Sequence, residues 1–232
     1  FIRLIRNYLN MNLRLRLFLV VFLHSVSYFL FSPPSAHADI TTGLVGHWKF
    51  DEGSGTAAAD SSGNGNNGTI NTGTSSPLWT TGQVNGALGF DGYNDYVALL
   101  SPTSLDNIET QGGGGITISA WIFPNTTSVS QYMVTKDSFN SGYWTLNLAA
   151  YAGQVIVRWN KDFATTGMDV YTSYGDAIAG KWQHVILTWD GSSDANNVHI
   201  YVNNIDKTST RASGVGNKNS DASNNMYIGA YV

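Results

Sequence analysis

The stretch Trp182–Asn203 constrains the fold more than any other part of this sequence. Trp182–Asp190 (WQHVILTWD) sets Val185, Leu187 and Trp189 on one face, Gly191–Asn197 supplies a loop, and Val198–Asn203 returns. Apolar residues at every second position, reversed across a short polar loop, predict an antiparallel hairpin with one buried face. Ile116–Phe123 (ITISAWIF) alternates in the same way and stops at Pro124, a residue that strands tolerate at their ends. Gln131–Lys136, Tyr143–Ala150, Gln154–Trp159 and Met226–Ala230 read as further short strands, parted by the turn formers DSFNSG and Tyr151-Ala152-Gly153. Gln111–Gly115 reads as a flexible connection. Strands at this cadence, with no amphipathic helix between them, predict an all-β protein of two packed antiparallel sheets.

The stretch Gly43–Leu99 carries the chemistry. Leu44–Phe50 (LVGHWKF) alternates and predicts a half-buried strand, ended by the turn formers Asp51–Gly55. Then follows DSSGNGNNG, too polar to build a core. Asp60, Ser62 and Asn64 fall at the first, third and fifth positions of a calcium loop, and Gly65 falls at the sixth. The twelfth position should be a bidentate Glu and is Asn71, and no helices flank the loop, so an EF-hand is rejected. Two readings stay open. Asp60, Ser62, Asn64 and Asn66, joined by Asp91 and Asp95 of FDGYNDYV, would form an oxygen-rich calcium site; or the loop is a solvated turn whose Asn and Asp side chains bond nearby backbone.

WKFDEGSG, A-x-DSSGNGNNG, W-x-x-G-x-x-NGAL-x-FDG-x-x-DYV, ITISAWIFP and WQHVILTWDG-x8-IYVN together resemble the laminin-G-like jelly-roll domains of the concanavalin A-like lectin/glucanase superfamily. The likeness runs from about Gly43 to the end of the chain. It implies a two-sheet antiparallel jelly roll that serves as an accessory module for a glycan or a protein, often with calcium. Such domains usually continue with a further strand holding an Asp-Glu pair. Its absence after Met226–Ala230 reads as a chain truncated at its C-terminus, with further domains of the same polypeptide expected.

The front of the chain is of another kind. Asn12–Arg16 is basic, Leu17–Phe31 is apolar, and SPPSAHA ends in Ala36-x-Ala38. That order describes a secretory signal peptide within residues 1–38, leaving 39–232 as the domain. The apolar run is shorter than the roughly 20 residues of a spanning helix, so no stable membrane span is expected after cleavage. Loss of Arg3, Arg6, Arg14 and Arg16 would take the formal charge from −4 to −8. A sparsely charged, acidic surface argues against nucleic acid, whose recognition needs clustered Lys and Arg. The chain has no cysteine, which removes thiolate zinc sites and cysteine catalysis. A secreted protein of this length holds its core without disulfides.

Catalytic patterns are weak. Most glycosidases set two carboxylates across the scissile bond, and superfamily glucanases carry them as Glu-x-Asp-x-x-Glu, whereas Glu52 and Glu109 are the only glutamates here. G-x-S-x-G and H-E-x-x-H are absent, and His47, His184 and His199 sit in strand patterns as structural residues. Trp48, Trp121, Trp182 and Trp189 also lie in strand patterns, and most of them are expected in the core or half-buried. Trp79, Tyr93, Tyr151 and Tyr174 fall in loops and are the candidates for stacking on sugar rings. The expected function is a secreted, non-catalytic module binding a glycan or extracellular protein. A spacer or adhesion module without a small ligand is the second reading, and a polysaccharide hydrolase the third.

Overall fold

In the computed structural model, the described residues are 12, 42–73, 78–100, 103–137, 142–222 and 224–230. The chain divides into two compact units, Phe1–Ile40 and Thr41–Val232, and the fold below is that of the second. The signal-peptide expectation falls on residues outside those described, apart from Asn12. None of the described residues forms an α-helix; the helical turns at Thr103–Leu105, Ile108–Gly113 and Ala195–Asn197 are of the tighter 3-10 kind.

Among the described residues, fifteen strands follow in chain order. They are β1 (Ala57–Ala58), β2 (Gly68–Asn71), β3 (Leu78–Thr81), β4 (Gly86–Gly89), β5 (Tyr96–Leu99), β6 (Ile116–Ile122), β7 (Gln131–Asp137) and β8 (Trp144–Tyr151). Then come β9 (Gln154–Lys161), β10 (Met168–Thr172), β11 (Gln183–Trp189), β12 (Val198–Val202), β13 (Ile205–Asp206), β14 (Thr208–Ala212) and β15 (Asn225–Ile228). A nine-stranded sheet runs β1-β2-β5-β15-β7-β8-β9-β10-β14, a four-stranded sheet runs β13-β12-β11-β6, and β3 and β4 form a separate hairpin. Every pairing is antiparallel, and the whole is an all-β sandwich.

Alternation explains the core. Trp144, Leu146 and Leu148 of β8, with Val155, Val157 and Trp159 of β9, turn to one side of the large sheet and are buried there. Val185, Leu187 and Trp189 of β11 and Val198, Ile200 and Val202 of β12 answer from the small sheet. Trp159 and Trp189 meet between the sheets, ring centroids 5.9 Å apart. Trp144 and Trp159 are thus the deepest tryptophans, while Trp121, on the outward side of β6, is half-exposed. One end of this interior is closed by charge. Lys136, Trp144 and Lys161 face each other across β7, β8 and β9. Lys136 Nζ reaches Asp106 at 2.7 Å and Asp221 at 3.5 Å, and Lys161 Nζ lies 3.4 Å from Glu109. Pairing of this kind is what lets a lysine be buried at all. It also pins the helical turns to the large sheet and fixes the register of the three strands.

Two local expectations fail for identifiable reasons. Leu44–Phe50 is not a strand, although Trp48 makes an isolated bridge with Asp60. The carbonyls of Leu44 and Val45 are taken by the side-chain amides of Asn64 and Asn66, so no strand neighbour uses them. Phe50 then turns into the left-handed region, at φ 58°, where extended chain cannot continue. Gln111–Gly115 is not a loose connection either. Its first three residues belong to the turn Ile108–Gly113, and Gly115 N donates to Glu109 O at 2.8 Å. A Cβ at Gly115 would stand 2.7 Å from the Trp189 carbonyl, so the glycine permits a close backbone approach.

Candidate functional site

The six residues expected around calcium separate into two groups. β2 and β5 run antiparallel, with Thr69 opposite Ala98 and Asn71 opposite Tyr96. The Asp60–Asn66 loop enters at the Gly68 end, where the Asn66 side chain accepts from Ser104 Oγ at 2.7 Å. Asp91 and Asp95 lie at the other end, just before Tyr96. No group of three or more His, Cys, Asp or Glu able to hold a metal occurs among the described residues.

The two groups also differ in what their oxygens already hold. Asp60 Oδ1 accepts from the N–H groups of His47 (2.9 Å) and Ser62 (2.8 Å). Its Oδ2 accepts from Ser62 Oγ (2.8 Å) and Asn66 N (2.9 Å). Burial opposes the Asp60 charge, but those backbone and hydroxyl donors from Ser62, His47 and Asn66 outweigh it and hold the carboxyl below its ordinary range. Asn64 and Asn66 donate their amide hydrogens to Leu44 and Val45. This loop is the self-bonded turn, and its donor set does not fit a cation as it stands. At Asp91, the N–H of Tyr93 leads the groups that lower the carboxyl's pKa. Asp95 Oδ2 accepts from Asp91 N at 2.9 Å, but its Oδ1 is buried without a hydrogen-bond partner among the described residues. An orphaned buried carboxylate oxygen fits a hard cation.

The four aromatics expected in loops also divide. Trp79 lies not in a loop but on β3, opposite Leu88, half-buried against the core, and donates to Gly55 O at 3.2 Å. Tyr93 projects from the Asp91–Asp95 turn, 95 % exposed. Tyr151 and Tyr174 come together: their rings stack with centroids 5.6 Å apart and planes at 28°, both exposed. Tyr151 ends β8, beside a two-residue turn in which Ala152 (φ 50°) and Gly153 (φ 75°) are both left-handed, the geometry of a tight hairpin. The loop of Tyr174 is held in place by Gln183, which accepts from Ile178 N at 2.6 Å and donates to Asp176 O at 3.1 Å. Lys207 pairs with Asp176 at 2.9 Å.

Tyr151 shares its side of β8 with Thr145, Asn147 and Ala149, the side opposite the core. Register carries that outer face across the whole sheet as the row Ala57, Thr69, Ala98, Tyr227, Thr135, Thr145, Asn160, Asp169 and Ala212. The next row holds Tyr132, Asn147, Arg158, Tyr171 and Thr210. Thr135, Thr145 and Asn147 form a floor, buried although they face away from the core. Asn147, 5 % exposed, lies at the centre of this floor. Beside it Arg158 grips Asp169 with two bonds of 2.8 Å, and Asn160 adds a third at 2.9 Å. The hydrogen bond that Arg158 donates to Asp169, against the opposing effect of burial, raises the Arg158 pKa. None of Asn147, Arg158, Asn160 or Asp169 stood out in the sequence. They occupy the polar half of ordinary strand alternation, and only strand register joins them.

The sequence pattern described as the concanavalin A-like lectin/glucanases superfamily, in its laminin G form, matches residues 91–232. The chain belongs to this superfamily. Residues 43–90, which carry the Asp60 loop, lie outside the matched span. No curated protein matches the chain in sequence. Among solved structures, domain 4 of AbnA, a GH43 extracellular arabinanase from Geobacillus stearothermophilus in complex with arabinotriose, is similar at 16 % identity and a TM-score of 0.54. That likeness covers 80 % of this chain and 82 % of the other. The binding domain of botulinum neurotoxin DC, in complex with rat synaptotagmin II, is similar at 15 % identity and a TM-score of 0.51. It covers 84 % of this chain but 45 % of the toxin domain, so the chain spans less than half of that relative. At such identities the likeness describes the sandwich alone.

Proposed function

We propose that this superfamily member is an exported, non-catalytic module that binds a glycan on the outer face of its large sheet, against the stacked Tyr151–Tyr174 pair. The observation that carries the reading is the exposed, stacked Tyr151–Tyr174 pair at the end of a face whose floor is the polar Thr135, Thr145 and Asn147. Such a face offers a sugar ring apolar surface and hydroxyl partners at once. Asp169, the carboxylate of the two described rows, is bound by Arg158 and Asn160, a poor arrangement for proton transfer. The arabinotriose complex of AbnA domain 4 agrees with a sugar ligand for this kind of sandwich. Export is part of the proposal and rests on the sequence of residues 1–38.

The test is affinity electrophoresis or calorimetry on the full chain with a panel of polysaccharides. Tyr174→Ala should weaken binding about tenfold, the loss of one stacked ring, with the melting temperature unchanged. Equal binding by wild type and by Tyr174→Ala and Tyr151→Ala variants sinks the site. The spacer or adhesion reading draws on the small sheet, where Trp121 stacks on His184 at 5.0 Å and Phe123 meets Trp182 at 5.6 Å on an exposed face. It gains if no polysaccharide binds.

The calcium part of the proposal belongs to Asp95, with Asp91 beside it, and not to the Asp60 loop. A bound cation would neutralise the buried Asp95 carboxylate and tie down the turn.

A further inference from the structure

We infer that the ligand of the outer face is an uncharged, hydroxyl-rich oligosaccharide and that Asp169 is the residue that sets this choice. The inference rests on the glycan reading above and narrows it. In the two rows described, Arg158 and Asp169 are the charged side chains, and each answers the other through a paired contact of 2.8 and 2.8 Å. The face therefore carries no net charge where its polar groups converge. A carboxylated or sulfated sugar drawn to Arg158 would have to displace Asp169 from the guanidinium or lie beside a like charge. Hydroxyl groups meet neither obstacle. The Asn147 amide both donates and accepts, as a hydroxyl does, and lies between Tyr132 and Arg158 in register. Tyr132 stands opposite Asn147 and Tyr171 opposite Arg158 in register, so they border the same place. Thr145 and Asn160 are already joined to one another at 3.4 Å, next to Asn147 on the floor.

The full chain is run in native gels containing arabinan, β-glucan or polygalacturonate, beside Asp169→Asn and Arg158→Gln variants whose folding is checked by thermal melting. Wild type should be retarded by a neutral polysaccharide and not by polygalacturonate. Asp169→Asn, which frees the guanidinium, should gain about tenfold in polygalacturonate affinity, and Arg158→Gln should gain none. Affinity of wild type for its neutral ligand should not change with added salt, a readout that needs no variant. Retardation by polygalacturonate equal to that by the neutral polymers, or affinity that falls with salt, overturns the inference and leaves glycan binding standing. Retardation by none of the polymers, with Tyr174→Ala indistinguishable from wild type, overturns both.

Discussion

The Asp60–Asn66 loop and the Asp91–Asp95 turn look alike as sequence, short polar runs rich in Asp, Asn and Gly, yet they spend their oxygens differently. In the first, both carboxylate oxygens of Asp60 are filled by protein donors, and the neighbouring amides hold the carbonyls of Leu44 and Val45. In the second, one oxygen of Asp95 is buried with no partner among the described residues. The loop does the work of a missing strand partner for residues 44–47. The turn has no such duty. Residue type and spacing therefore define a set of possible ligands, and the hydrogen bonds already made decide which of them have capacity left.

The largest expected effect breaks the comparison on the loop side. Asp60→Ala removes the acceptor of four hydrogen bonds and should cost about 2 kcal/mol by chemical denaturation, calcium or no calcium. A loss below a few tenths would mean that the loop is held by something else.

The next effect sharpens the turn side. Calcium at a hundredfold excess over its dissociation constant should stabilise the wild type by about 2.7 kcal/mol, and a chelator should reverse it. Asp95→Asn should abolish that gain, and Asp60→Asn should keep it. A melting curve indifferent to both calcium and chelator removes the cation from the turn.

The smallest effect is a pH dependence. Asp60 is held below its ordinary pKa in the folded state, so its contribution is complete above the unfolded value, about 3.9, and is lost as pH falls through the folded one. Acid unfolding of the wild type should be steeper over that range than that of Asp60→Asn, whose stability lacks this component. Parallel acid curves would show that those donors do not hold the Asp60 pKa down.

Much of the sandwich was legible along the chain, because burial of one face writes a period of two into β6, β8, β9, β11 and β12. β14 was not legible. Thr208–Ala212 is a polar strand at the sheet edge, and no buried face marks it. Of the aromatics expected in loops, Tyr151 and Tyr174 met and Trp79 turned into the protein, an outcome that depends on which turns lie side by side.

Local alternation and turn chemistry settled the fold class of this chain from its sequence, since both act between near neighbours and need no partner to be read. Which polar residues share a surface was decided only in three dimensions. Asn147, Arg158 and Asp169 sit on three different strands, and antiparallel register, held from behind by the buried Lys136–Trp144–Lys161 row, is what sets them side by side. Whether an oxygen is spent or spare was likewise decided there, because its donors come from distant backbone that the sequence does not align.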